Sequence, residues 1–237
     1  MSKINNKKKI YNLCIIPARK GSKGIKNKNI IKFLGKPLIQ HTFDIAKKII
    51  KEFDVLVSSD SKIIKNLAIK NNFIFLGLRP KILSNDKAKT KDVIRFELKR
   101  IEKINKKKYK NILLLQPTVP FRDHKKILYS LKKIKNKKFD SVVSVSNVDA
   151  MHPLRMKKFK GPYLINYIKQ KNENMKPRQS LPEVFIRSGA IYLFKRETLM
   201  KKNSLVGKKC FGIKLKGKET INIDTQEQLE FLKTKYR

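Results

Sequence analysis

Residues 13–16, Leu-Cys-Ile-Ile, form an apolar run that Pro17 closes, and the loop after it constrains the rest of the chain. The run reads as the first buried strand of an α/β domain, ended by the proline. Between Arg19 and Lys28 stand two glycines, a serine and five cations. Backbone N–H groups, a hydroxyl and positive charge therefore converge just past a strand end, which is the chemistry a polyphosphate needs. Gly21, Gly24 and Gly35 have neither the G-x-x-x-x-G-K-[ST] spacing of a P-loop nor the G-x-G-x-x-G spacing of a dinucleotide fold.

Residues 111–115, with four consecutive apolar side chains after Asn111, are the strongest central strand, of the kind buried on both faces. Around these two strands the pattern predicts helices over 38–51, 62–70, 87–105, 123–135 and 226–235. Further strands are expected over 53–58, 73–76, 141–145, 188–194 and 211–215, with 141–145 completing a parallel core. Ser59-Asp60-Ser61 reads as the cap of the helix over 62–70, with Asp60 as the capping residue. Asp86 fits either a cap on the helix over 87–105 or a ligand. Residues 147–182 are polar, carry Pro153, Pro162, Pro177 and Pro182, and show no sustained period, so they read as an excursion from the domain. His152-Pro153 reads as a turn.

A length of 237 residues suits one domain with a basic leader over 1–10. Two cysteines, Cys14 and Cys210, imply no disulfide framework and a reducing compartment. No apolar run approaches a membrane span and the leader lacks a secretory hydrophobic region, so a cytoplasmic protein with no membrane partner is expected. The 59 Lys and Arg against 18 Asp and Glu leave a charge of +41. The lysines are spread over nearly every predicted helix and turn, without one basic arm or interleaved aromatics, and such runs are solvated faces. No specific nucleic-acid partner is expected, although the positive field would gather anionic substrates.

Pro17-Ala18-Arg19, Gly21-Ser22-Lys23-Gly24, Lys28-Asn29 and Gly35-Lys36-Pro37-Leu38-Ile39 occur in the order that opens the cytidylyltransferases of acidic sugars. Later pieces continue the likeness. Arg79-Pro80 with Leu83 and Asp86, Gln116-Pro117-Thr118 with Pro120 and Arg122, Arg178-Gln179 with Leu181-Pro182, Gly189-Ala190-Ile191-Tyr192, and Ile223-Asp224-Thr225 follow in sequence. The chain thus resembles the acylneuraminate cytidylyltransferase family over nearly its whole length. Lys23 and the Gln116-Pro117-Thr118 turn distinguish it from the related enzymes for the eight-carbon acid Kdo, which typically carry an arginine and a G-D-E-P turn there.

The resemblance implies a Rossmann-like nucleotidyltransferase, a three-layer α/β/α sandwich in which the excursion over 147–182 meets a second subunit of a homodimer. It implies that CTP and a nine-carbon sialic-type acid give a CMP-sugar and pyrophosphate for surface glycans. The alternatives are a Kdo-type enzyme, a basic RNA-binding protein and a degenerate nucleotide-binding paralogue. By the same resemblance Arg19, Lys23, Lys28 and Asp224 are catalytic, and Ala18, Arg19, Ser22, Lys23, Asn29, Arg79 and Ser84 bind nucleotide. Gln116, Thr118, Arg178 and Tyr192 bind sugar, while Asp224 and Asn222 hold Mg2+, with Asn222 in place of a usual aspartate. Arg122 is expected to be structural, and no side chain stands out as a general base.

Overall fold

The computed structural model describes residues 11–22, 24–136, 138–170 and 175–236. The first strand, β1 (Asn12–Pro17), is followed by the two-residue strands β2 (Lys32–Phe33) and β3 (Lys36–Pro37), then α1 (Leu38–Lys47), β4 (Asp54–Ser58), α2 (Lys62–Lys70) and α3 (Thr90–Ile104). Next come β5 (Asn111–Leu114), α4 (His124–Lys135), β6 (Ser141–Asn147), β7 (Lys157–Lys160) and β8 (Tyr163–Asn166). The chain continues through β9 (Phe185–Lys195), α5 (Arg196–Met200), β10 (Cys210–Lys214) and α6 (Gln226–Lys235).

The main sheet has the order β10-β6-β9-β5-β1-β4. Alternation along β1 sends Cys14 and Ile16 to one face, where they meet Ile39 and Phe43 of α1, Ile64 of α2 and Ile127 and Leu131 of α4. Leu13 and Ile15 go to the other face, against Ile94, Leu98 and Ile101 of α3 and Leu199 of α5. Both faces are covered, so the sheet is the middle of three layers, a Rossmann-like α/β/α arrangement. A third cluster, Ile25, Phe33, Leu38, Ile223, Leu229 and Leu232, brings α6 and the segment before it against the loop that follows β1. Residues 25–38 and 223–232 are thereby packed together.

The parallel core expected from the sequence is interrupted. β9 runs antiparallel to both β5 and β6 and lies between them, while β1–β4, β1–β5 and β10–β6 are parallel. A strand enclosed by helices on both faces has the same apolar pattern in either direction, so its sense is not written in its residues. The strand expected over 73–76 reduces to one bridge, Ile74 opposite Leu56. The first helix ends at Lys47 rather than at residue 51, and the third begins at Thr90 rather than at residue 87.

Within the excursion, β7 and β8 pair as an antiparallel hairpin turned at Gly161, whose φ of +59° suits a residue without Cβ. Phe159, Tyr163 and Leu164 on it are 77%, 72% and 60% exposed. Neither face is buried in this chain, so no alternation marks these strands in the sequence. Among the described residues, no helix is long and apolar enough to cross a membrane.

On the α3–α5 side, Glu102 is buried and accepts two hydrogen bonds from Arg196, at 2.8 and 2.9 Å, and the Tyr109 N–H at 3.1 Å. Burial alone would raise its pKa. The Arg196 guanidinium, the Tyr109 N–H and Lys108 outweigh that and hold the carboxyl below its ordinary range. The stabilisation is therefore present above the unfolded value of about 4.3 and is lost as pH falls through the depressed folded value. Arg196→Ala is expected to cost about 2 kcal/mol, less than a fully enclosed pair because the arginine reaches solvent. Urea unfolding checks it: the deficit should be largest at pH 7 and shrink near pH 3.

Candidate active site

β1, β4 and β5 all point their C-terminal ends at one side, where an open α/β sheet leaves a crevice. Pro17 lies at the end of β1, and Ala18, fully buried, donates its N–H to the Ser58 carbonyl at 2.9 Å. Ala18 thus joins two strand ends and does not line the crevice. Asp60 does not cap α2. Ser61 does, accepting the Ile64 N–H, while Asp60 reaches back and accepts the Lys20 N–H at 2.7 Å. A carboxylate holding a backbone amide across 40 residues fixes the start of the glycine-serine loop. The Asn29 side chain fixes its other end, donating to the Arg19 carbonyl at 2.9 Å.

Gly24 is the close-approach glycine of the loop. A Cβ there would stand 2.1 Å from the Asp224 carbonyl oxygen, so only a residue without one lets the loop touch the segment before α6. Lys28 crosses the same contact. Its buried ammonium donates to Asp224 Oδ1 at 2.8 Å and to the Ile223 carbonyl at 3.1 Å. Asp224 does not cap α6. Thr225 does, in a reciprocal box with Gln228, which leaves the Asp224 carboxylate to Lys28 and to the Asn222 amide. Asn222 Oδ1 is buried and accepts no hydrogen bond.

The opposite wall comes from the segment before α3. Arg79 is only 5% exposed, donates its N–H to the Ser59 carbonyl at 2.8 Å and directs Nε to Ser84 Oγ at 3.3 Å. Burial pushes its pKa down, and the nearby Asp60 and Glu97 carboxylates counter the push. Ser84 turns its hydroxyl to the Pro80 carbonyl at 3.0 Å and does not line the crevice. Asp86 is not a helix cap either. It forms an ion pair with Arg19, bridging the two walls.

The floor is Gln116-Pro117-Thr118, after β5. Arg122 is buried beneath it and donates to the Ala190 carbonyl at 2.8 Å, to Thr42 Oγ1 at 2.9 Å and to the Val119 and Gln116 carbonyls. The Thr118 carbonyl accepts the Ile223 N–H at 2.8 Å, so the floor and the Asp224 segment are bonded to each other. Gly189, with φ of +79°, passes so near that a Cβ would come within 3.0 Å of Gln116 Oε1.

The resulting cleft has a volume of about 300 Å3. It gathers Arg19, Ser22, Lys28, Asn29, Arg79, Gln116 and Thr118 from the residues singled out in the sequence. Lys23 lies outside the described residues. Asp224 and Asn222 do not line the cleft: Asp224 meets it through Lys28, and Asn222 is bonded to Asp224. Arg178 does not join the cleft of its own chain: it is exposed in the 3-10 turn Arg178–Ser180 and lines a separate depression beside His152 and Glu183. His152 is itself buried and spent on the Pro182 carbonyl and the Leu154 N–H. Tyr192 is half-buried on β9, opposite Leu114 and Val143, and packs on the α3-side core instead of lining the cleft. Asn85, Ala88 and Val93 line the cleft and were not singled out. Their signal in the sequence is only their place between Arg79 and the body of α3.

Chemically, the cleft offers an arginine and a lysine near a glycine loop, a buried arginine on one wall and an amide on the floor. It can hold an anionic ligand of several phosphates with a polar ring beside it. The comparisons agree with that content. An N-acylneuraminate cytidylyltransferase of Streptococcus agalactiae is 28% identical over 217 residues, which is 91% of this chain and 51% of the relative. The chain therefore spans about half the length of that relative. A pseudaminic acid cytidylyltransferase of Campylobacter jejuni is 26% identical over 226 residues, covering 95% of this chain and 96% of the other. Among solved structures, a CMP:2-keto-3-deoxy-manno-octonic acid synthetase complexed with CTP superposes with a TM-score of 0.66 at 17% identity, over 94% of this chain and 97% of that one, which bears on the fold alone. The model of the cytidylyltransferase family matches residues 13–234, from the strand that feeds the glycine loop to the helix that follows Asp224, and the chain belongs to that family.

Proposed function

We propose that the protein transfers the cytidylyl group of CTP to a nine-carbon 2-keto sugar acid of the sialic type, giving the CMP-sugar and pyrophosphate. The observation that carries this reading is the convergence of Arg19, Ser22, Lys28 and Arg79 with Gln116 and Thr118 in one cleft at the strand ends. Two relatives named for acids of this type, matched over nine-tenths or more of the chain, support the choice of sugar.

In the reaction the sugar's anomeric hydroxyl oxygen attacks the α-phosphorus in line. The new P–O bond forms as the bond to the β-phosphate oxygen breaks, and pyrophosphate leaves with the electron pair. The hydroxyl proton passes to solvent. Arg19, Lys28 and the loop's N–H groups neutralise charge that builds on the departing phosphates. Arg79, held by burial and by Ser84, faces the base; Gln116 and Thr118 face the sugar.

Mg2+ belongs to the same reading. Asp224 offers the carboxylate for it, a hard oxygen ligand; both its oxygens are here spent on Lys28 and on the Asn222 NH2, and the Asn222 oxygen is the buried arm of the amide that does not face that carboxylate. When bound, it would polarise the phosphate oxygens and lower the pKa of the attacking hydroxyl. A cytoplasmic homodimer completes the proposal. Exposed Phe159, Tyr163 and Leu164 on the β7–β8 hairpin, and Arg178 standing apart from its own chain's cleft, are what a second copy would use.

Pyrophosphate release with CTP, Mg2+ and a panel of sialic-type acids plus Kdo tests the reading, with sedimentation to follow the dimer. Release with one sialic-type acid is expected. Release with Kdo alone would reassign the substrate, and none with any acid would remove the activity.

A further inference from the structure

Among the described residues that line the cleft, Asp86 alone is an acid. A carboxylate is out of place in a crevice that gathers Arg19, Lys28 and Arg79 for phosphates, since like charges at close range repel. Its position is nevertheless built. The Asn85 side chain donates to the Ile82 carbonyl at 3.0 Å and accepts the Lys87 N–H at 2.9 Å, while the Asn85 carbonyl accepts the Ala88 N–H at 3.3 Å. That turn holds the backbone on either side of Asp86, yet α3 begins only at Thr90 and has no side-chain cap, so the carboxylate serves no helix. Across the cleft Arg19 is fixed in the same way: Asn29 holds its carbonyl at 2.9 Å, and Asp60 holds the next N–H at 2.7 Å. The Arg19–Asp86 ion pair thus spans two pinned segments. It is also open to water, with the two side chains 31% and 43% exposed.

We propose that Asp86 is a positioning residue that competes with pyrophosphate for the Arg19 guanidinium and thereby promotes release of this product. The proposal rests on the cytidylyltransferase reading of the cleft. A guanidinium fork takes a carboxylate or a phosphate with the same N–H groups, so Arg19 cannot give them fully to both. An exposed pair is weak, and a triphosphate that also engages Lys28 and the loop's N–H groups displaces it. After transfer the balance shifts. Pyrophosphate is then severed from the base and the α-phosphate and holds on by its own contacts alone, and Asp86 takes Arg19 back. Without this carboxylate the cations that aid the departure of pyrophosphate would also retain it, and in many enzymes release sets the turnover. A carboxylate that merely held Arg19 in place for phosphates would have the opposite effect, and its removal would weaken their binding.

Calorimetry with inorganic pyrophosphate, CMP and CTP as separate probes, each in EDTA and in Mg2+, tests this on the unsubstituted protein and on Asp86→Asn, which keeps the shape and removes the charge. Asp86→Asn should bind pyrophosphate about fivefold more tightly, the upper end of what an exposed ion pair holds back. CMP affinity should stay as it is, because CMP carries no phosphate in the place of pyrophosphate. In an Arg19→Ala background most of the gain should be lost, since the carboxylate acts through that guanidinium. Asp86→Ala repeats the measurement without the amide and should move pyrophosphate affinity in the same direction. Unchanged or weaker pyrophosphate binding by Asp86→Asn would overturn the proposal and leave Asp86 as a support for Arg19. An equal gain for CMP, or a gain that survives whole in Arg19→Ala, would overturn it too. Failure of CTP, CMP and pyrophosphate alike to bind any form would instead overturn the reading of the cleft, and the proposal with it.

Discussion

Asp224→Ala is expected to lower the rate of pyrophosphate release about a hundredfold at saturating CTP and Mg2+. The substitution removes the carboxylate bonded to Lys28 and leaves the Lys28 ammonium with the Ile223 carbonyl as its described partner. The first effect acts on the reaction, the second on the fold, and they separate in the measurements. Asp224 is 52% exposed in its side chain, so its loss should move the thermal midpoint by no more than a few degrees. Asp224→Asn keeps the shape and one oxygen, and should retain more activity than the alanine variant. Initial rates with both variants, beside a melting curve, check the argument. A rate within threefold of the unsubstituted protein would remove Asp224 from the chemistry.

Arg122→Ala should produce the largest loss of stability from one side chain, about 4 kcal/mol. Its guanidinium satisfies four buried acceptors at once, the carbonyls of Gln116, Val119 and Ala190 and the hydroxyl of Thr42. Each acceptor left bare inside the protein costs about 1 kcal/mol or more, and water cannot readily reach them. Arg122→Lys should recover only part of the loss. One ammonium cannot reproduce a planar fork that reaches a helix, a loop and a strand. Because the same loop forms the floor of the cleft, substrate affinity should fall with stability. Urea unfolding of both variants decides it, and a deficit below about 1 kcal/mol for the alanine protein would show that the loop is held by something else.

The four pieces from Pro17 to Ile39 were legible because phosphate chemistry needs particular residues at close spacing, and spacing survives folding. Arg19, Ser22, Lys28 and Asn29 stand together in the cleft for that reason. The helices over 62–70 and 226–235 end where their periods end, with Ser61 and Thr225 as caps. Asp60, Asp86 and Asp224 were harder. Each sits just before a helix, where a cap is the local solution, yet each is spent on a distant partner: Lys20, Arg19 and Lys28. A local pattern cannot report a partner that folding brings from 40, 67 or 196 residues away. Tyr192 shows the opposite case, a motif residue whose half-buried place on β9 is decided by core packing.

The sequence by itself determined the α/β class, the loop chemistry and the family likeness, because these rest on period, composition and short-range spacing. Tertiary structure decided that β9 runs against its neighbours, that Arg178 stands away from its own chain's cleft, and that Lys28 neutralises Asp224. These depend on strand direction and on charges meeting across long loops, which the free energy of the whole packed chain selects and no single segment encodes.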